Sequence, residues 1–232
     1  QPVPNVTLKV PTGGGKTYLA CAALSRIFGR YVGANNGMVL WIVPNEAIYT
    51  QTLKALRNRD HPYRQTLDRA SANRTIILEK GDPLNANDLA ANLCIMVLML
   101  QSSNRENQDS LRLFRDRGDV HGFVPADGEQ GLHAQLLARV PNLSIYDSGD
   151  GRALPWPMVK ASMGNAMRIV RPVVVMDEGQ RAVSDLAFST LYGFNPSLVL
   201  ELSATPKDVA DRPNRPGRRA NILCEISGRE LE

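Results

Sequence analysis

Six consecutive residues, Thr12, Gly13, Gly14, Gly15, Lys16 and Thr17, place three glycines, an ammonium group and a hydroxyl side by side. Val6 to Val10 before them alternate and are β-rich, which predicts a short buried strand that Pro11 ends. Tyr18 to Phe28 after them have helical spacing. Strand, glycine loop, Gly-Lys-Thr and helix in that order is the context of a P-loop. Glycine reaches the backbone angles of a tight curl, and the loop and helix N–H groups can then surround a phosphate. Lys16 adds a point charge for the β and γ phosphates, and the Thr17 hydroxyl is an oxygen ligand for Mg²⁺. The strict pattern has glycine where this chain has Val10. The competing reading is a glycine-rich turn ahead of an ordinary helix.

A second constellation sits far along the chain. Val173 to Met176 read as a strand buried on both faces, with Asp177 and Glu178 at its C-terminal end. Ligands of an open parallel sheet bind beyond those ends. With a P-loop at one of them, Asp177 would hold Mg²⁺, mainly through water. Glu178 would orient and deprotonate an attacking water, and Lys16 would offset charge on the γ-phosphoryl group. Without the P-loop, the same acids would read as a solvated turn. Ser203-Ala204-Thr205-Pro206 follow one more predicted strand, Ser197 to Leu202.

The elements that must position these groups follow a repeating order. Met38 to Val43 and Leu93 to Leu100 are continuous apolar runs, read as buried strands, and Thr75 to Glu79 add another. Asn45 is placed to cap a helix running to about Asn58, and Asn85 a short one to Ala91. Helices are also expected over Leu132 to Val140, Ala161 to Val170 and Ser184 to Tyr192, and a last strand over Ile222 to Ile226. Strands alternating with helices predict an α/β fold with a doubly wound, mostly parallel sheet. The chain is expected to form one domain over residues 1–232, with a loop-rich insertion near 101–157. Within it, Trp156 between two prolines reads as a packing plug or as a base-stacking platform.

The chain has 232 residues, 43% hydrophobic and 22% charged, enough for a substantial core. The net charge of +4 is compatible with nucleic acid without requiring it. Arg212, Arg215, Arg218 and Arg219 form either a solvated loop or a phosphate-backbone contact. Three cysteines at no metal-like spacing, Cys21, Cys94 and Cys224, read as buried free thiols of a reducing, cytoplasmic compartment. There is no apolar run of ~18 residues, so no membrane span is expected. The chain begins Gln-Pro-Val-Pro, with neither Met nor a signal-peptide pattern, and is expected to be a piece of a larger protein.

Together these motifs resemble the first RecA-like domain of superfamily 2 helicases. Val10 to Thr17 resemble motif I, and Trp41 to Thr52 resemble motif Ia and its helix. Asp177-Glu178-Gly179-Gln180 resemble motif II, the DEAD/DEAH box, and Glu201 to Pro206 resemble motif III. The closest resemblance is to the helicase (Res-like) subunit of type III restriction enzymes. The resemblance implies a P-loop three-layer sandwich that binds and hydrolyses ATP with Mg²⁺. Thr12 to Thr17 would bind the triphosphate, Thr17 and Asp177 the metal, and Lys16 and Glu178 would be catalytic. Gln180, Ser203 and Thr205 would couple nucleotide state to domain motion. Pro44, Asn45 and Gln51 would lie near a nucleic-acid backbone, expected to be double-stranded DNA. Gln180 stands where the family has His or Asp, and Gly179 where it has Ala. Gln keeps a donor and an acceptor but cannot titrate.

The resemblance also implies a second RecA-like domain, expected to lie outside this chain. The isolated chain is therefore expected to bind ATP weakly, hydrolyse it poorly and unwind no DNA. Two other functions compete with a motor: another kind of P-loop nucleotide enzyme, and a non-catalytic nucleotide-binding or nucleic-acid-binding scaffold.

Overall fold

The computed structural model describes residues 3–99, 113–146, 155–177, 191–206, 208 and 220–225. Its frame is a sheet of seven strands. In chain order these are β1 (Asn5–Lys9), β2 (Gly37–Val43), β3 (Thr75–Leu78), β5 (Leu93–Met99), β7 (Val173–Asp177), β8 (Leu198–Ser203) and β9 (Ile222–Glu225). They lie in the order β3-β5-β2-β7-β8-β1-β9, and every neighbouring pair is parallel. Two short strands, β4 (Leu84–Asn85) and β6 (Val120–His121), pair separately.

Both faces of the sheet are covered, as continuous apolar strands require. Val39, Trp41 and Val43 of β2 enter one core, while Met38, Leu40 and Ile42 enter the other. The first core is closed by α1 (Lys16–Arg26), α2 (Glu46–Arg57) and α3 (Pro62–Ala70), through Leu24, Leu56 and Leu67. The second is closed by α4 (Ala86–Ala91) and α6 (Met163–Val170), through Leu89, Ala166 and Met167. The period-2 side-chain alternation of a strand thus splits one apolar run between two helical layers. Burying one such side chain stabilises by about 1.5–3 kcal/mol, so the central strands carry much of the fold.

The chain winds in two directions from β2. It first crosses to the edge strand β3 and steps back to β5, then passes to the other side of β2 through β7 and β8, and ends at β9 beyond β1. The result is the expected doubly wound α/β architecture, a RecA-like P-loop sandwich. Several boundaries differ from expectation. The first helix starts at Lys16, two residues before Tyr18, because Gly15 serves as its N-cap. It continues past Phe28 as π-helical turns over Ile27–Val32. Helix α3 was not expected. His61 caps it by accepting the Tyr63 N–H, and Pro62 sits at its first turn. Cys21 and Cys94 are buried free thiols as read from the sequence, but Cys224 is exposed, because β9 is an edge strand with solvent-facing residues. Burial pushes both buried thiols up to about 12, so neither is a ready nucleophile.

The described part of the stretch between 101 and 157 is partly ordered into elements. Helix α5 (Gln130–Arg139) packs Leu136 against Leu143 and Val159 in a small third cluster that Ile169 of α6 joins. His133 is buried in α5. Its Nδ1 accepts the Val159 N–H at 3.1 Å, and its Nε2 lies 3.2 Å from the Ala126 carbonyl. Trp156 is half-buried. The expected helix over Ser184 to Tyr192 falls almost wholly outside the described residues, as do Glu178, Gln180 and the arginines from 212 to 219.

Candidate nucleotide and metal site

The sequence-predicted loop follows β1 directly. The Val10 N–H donates to the Ser203 carbonyl at 3.0 Å, and Val10 is fully buried. Position 10 therefore extends the β1–β8 ladder and its core, which explains a Val where the strict pattern has Gly. The chain then curls. Gly13 and Gly15 have φ of +83° and +73°, the left-handed region that glycine enters at little cost. The Gly14 N–H donates to the Pro11 carbonyl at 3.0 Å. No side chain caps the start of α1, and its first turn holds no acid. Its leading N–H groups thus face the site, together with the positive end of the helix dipole. Thr12, Gly13 and Gly15 are exposed, and Gly14, Lys16 and Thr17 are half-buried.

Strand register brings the distant residues to one level. Lys9 is opposite Ser203, and Asp177 is opposite Leu202. Asp177 and Ser203 both end buried strands, at 6% and 3% exposure. Since β8 lies between β1 and β7, the loop strand and the Asp177 strand are roughly 10 Å apart. Helix α1 spans that gap, packing over β8 and β7. Consequently Thr17 and Asp177 line a single pocket of about 290 Å³. Two oxygen donors facing one cavity suit Mg²⁺, which keeps several waters and shares its remaining positions with phosphate oxygens. Among the described residues there is no cluster of three or more His, Cys, Asp or Glu that could hold a metal by itself.

Ser203 has a structural task as well. Its Oγ accepts the Thr205 N–H at 3.1 Å and so shapes the turn between β8 and residue 206. That turn lies between the glycine loop and Asp177, because β8 is the intervening strand. Pro44 is half-buried and Asn45 exposed at the end of β2. The Asn45 side chain accepts the Ile48 N–H at 3.0 Å, which commits its oxygen to capping α2. Gln51 lines the pocket shared by Thr17 and Asp177. The same pocket has walls that sequence reasoning missed, namely Lys54, Asn58, His61 and Tyr63. A His-Pro pair that starts a helix was the available signal for the last two.

A hydrogen-bonded triad fastens α2 to the end of β3. The Tyr49 hydroxyl donates to Glu79 at 2.8 Å, and Arg57 pairs with the same carboxylate at 2.6 Å. Burial, then the hydrogen bond and charge of Glu79, push the Tyr49 phenol up to about 12. The hydrogen bonds from Tyr49 and Arg57 hold Glu79 below the usual carboxylate range.

A parallel sheet with a glycine loop at one strand end and a carboxylate two strands away defines a P-loop nucleoside-triphosphate-binding domain of the RecA-like class. The family model for the type III restriction enzyme, res subunit (ResIII), matches residues 3–208. The chain belongs to that family, an N-terminal domain family of superfamily 2 helicases, and in kind it is an ATP-dependent, helicase-like motor domain. A comparison with curated proteins found no match. No helix among the described residues is long and apolar enough to cross a membrane.

Proposed function

We propose that this chain is one RecA-like domain that hydrolyses ATP to drive a DNA helicase or translocase of the restriction type. The observation that carries the reading is the meeting of Thr17 and Asp177 in one pocket, although their elements lie far apart in sequence. In this reading residues 12–17 bind the triphosphate, and Thr17 and Asp177 would hold Mg²⁺, which offsets charge on the phosphates when bound. Lys16 stabilises the γ-phosphoryl group, and Glu178 takes a proton from the attacking water. Ser203 and Thr205, with Gln180, pass the nucleotide state to a partner RecA-like domain. Translocation follows as the two domains close and open with ATP. Pro44 and Asn45, at the start of α2, face the nucleic-acid track. Two buried, inert thiols fit a reducing, cytoplasmic compartment.

Phosphate release in the presence of Mg²⁺ and double-stranded DNA, measured for the parent and for Glu178→Gln in the full-length protein that carries the partner RecA-like domain, tests the reading. The variant is expected to lose about a hundred-fold or more in rate. Equal rates would overturn hydrolysis and favour a nucleotide-binding scaffold.

A further inference from the structure

We infer that the end of the sheet opposite the nucleotide site is a further contact for duplex DNA, one that grips the phosphate backbone without reading its sequence. The inference rests on the DNA-motor reading above. Strand register lays out this end. Val39 is opposite Val173, so Arg171 lies level with Gly37, which is opposite Leu93 and through it level with Thr75. Arg74 directly precedes Thr75. The two arginines therefore stand in one row, three strand spacings or about 14 Å apart, which is the rise of about four base pairs. Contacts between neighbouring turns close the row. The Arg74 Nη2 donates to the Asn35 Oδ1 at 3.2 Å, the Tyr31 hydroxyl donates to the Ser197 carbonyl at 3.2 Å, and the Arg171 Nε donates to the Asn195 carbonyl at 3.4 Å.

Charge divides between the two ends of the sheet. Glu46, Glu79 and Asp177 lie at the C-terminal ends of β2, β3 and β7, on the side of the nucleotide site. The turns at the opposite end, residues 33–36, 71–74, 92, 171–172 and 193–197, hold no Asp or Glu. The acids closest to them in sequence are Asp68, which pairs with Arg64, and Asp88, a turn inside α4. Arg30, Arg74 and Arg171 are exposed, and among the described residues none of them pairs with an acid. Arg30 sits in the last turn of its helix, where a cation offsets the helix dipole. Arg74 and Arg171 stand in turns, and their remaining terminal N–H groups are left for an outside anion. The backbone gives a second, independent sign. Among the described residues all four non-glycine positions with positive φ, Ala72, Asn73, Arg171 and Asn195, fall on these turns. Asn enters that region readily, but Ala and Arg do so at a steric cost. Strain of this kind concentrates at functional sites, where the surroundings hold it in place. A fixed, acid-free row of guanidinium and carboxamide groups suits phosphodiester oxygens, which position a duplex and carry no base information.

Binding of two fluorescently labelled duplexes of unrelated sequence to the full-length protein, measured by anisotropy over a series of salt concentrations, tests this assignment. The double variant Arg74→Glu, Arg171→Glu is expected to weaken both duplexes equally, by about ten-fold or more at about 0.1 M salt. The slope of log K against log salt is expected to fall by about 2, close to one for each lost phosphate contact. The double variant Arg74→Lys, Arg171→Lys keeps the charges and the fold, and is expected to keep the parent slope. Unchanged affinity and slope in the glutamate variant would overturn this contact and leave the track at Pro44 and Asn45 standing. A slope lost equally in the lysine and glutamate variants would overturn it too, since charge would then not be what binds. A parent that binds neither duplex would overturn the DNA-motor reading together with this contact.

Discussion

At the scale of single residues, backbone geometry and charge decide what can be exchanged. Gly15 has φ of +73°, and a Cβ there would touch nothing within 4 Å. The cost of Gly15→Ala is therefore backbone strain alone, about 1 kcal/mol, seen as a Tm lower by about 2–4 °C. Gly29→Ala, also in open space but at ordinary φ, is expected to leave Tm unchanged or raise it. The Tyr49–Glu79–Arg57 triad makes a prediction about pH. The folded state favours ionised Glu79 and neutral Tyr49. The Glu79 contribution is full above its unfolded pKa and drains away as pH falls through its lower folded value. The Tyr49 contribution is full below the unfolded phenol value and is lost as pH rises toward about 12. In urea titrations at several pH values, the stability advantage of the parent over Tyr49→Phe should therefore shrink from about pH 10 upward. An advantage independent of pH there would show that folding does not raise the Tyr49 phenol.

At the scale of elements, α3 is fixed less by its own sequence than by one buried cation. Arg64 is 5% exposed. It pairs with Asp68 at 2.8 Å and donates to the Leu56 carbonyl at 3.2 Å and the Thr75 carbonyl at 2.8 Å. It thereby joins the end of α2, the body of α3 and the start of β3. Removing it strands a buried carboxylate and two buried carbonyls. Arg64→Ala is expected to cost about 3–5 kcal/mol, read from the midpoint of urea unfolding. A loss below about 1 kcal/mol would mean that water or a neighbour replaces the guanidinium. Because α3 carries Tyr63, the same substitution should also disturb the pocket that Tyr63 lines with Thr17 and Asp177.

At the scale of the whole molecule, the described part of the stretch between 101 and 157 is tied to the sheet through Phe114. Its ring lies under the Arg168 guanidinium at 4.2 Å and stacks near Phe194 with centroids 6.2 Å apart. Gly164 of α6 packs against the same ring so closely that a Cβ would overlap it. Gly164→Ala is therefore expected to destabilise by about 1–3 kcal/mol through overpacking. Combining it with Phe114→Leu should recover part of that loss, and a double-mutant cycle measures how much. Strict additivity would show that the two sites do not share a contact.

Several features were already legible in the sequence. Apolar runs such as 38–43 and 93–99 could only be buried strands, because six or seven consecutive apolar side chains need a core on both faces. The glycine loop and the caps at Asn45 and Asn85 were legible for the same local reason: φ preference and capping act over a few residues. Residues 12–17 and Asp177 could be named as candidates because their chemistry rests on residue type and strand-end position. Helix α3 was not legible, because its sequence, Pro-Tyr-Arg-Gln-Thr-Leu-Asp-Arg-Ala, is mostly polar and its Arg64 is buried only by partners from other elements. Exposure of Cys224 was hidden too, since its apolar neighbours promised a core that an edge strand lacks. Strand order alone decided that β8 separates β1 from β7, and helix packing decided that Gln51 lines the pocket of Thr17 and Asp177. Residue types and local spacing thus determined which groups can do chemistry. Tertiary structure decided which of them share a pocket, because register and helix packing join residues that no sequence interval connects.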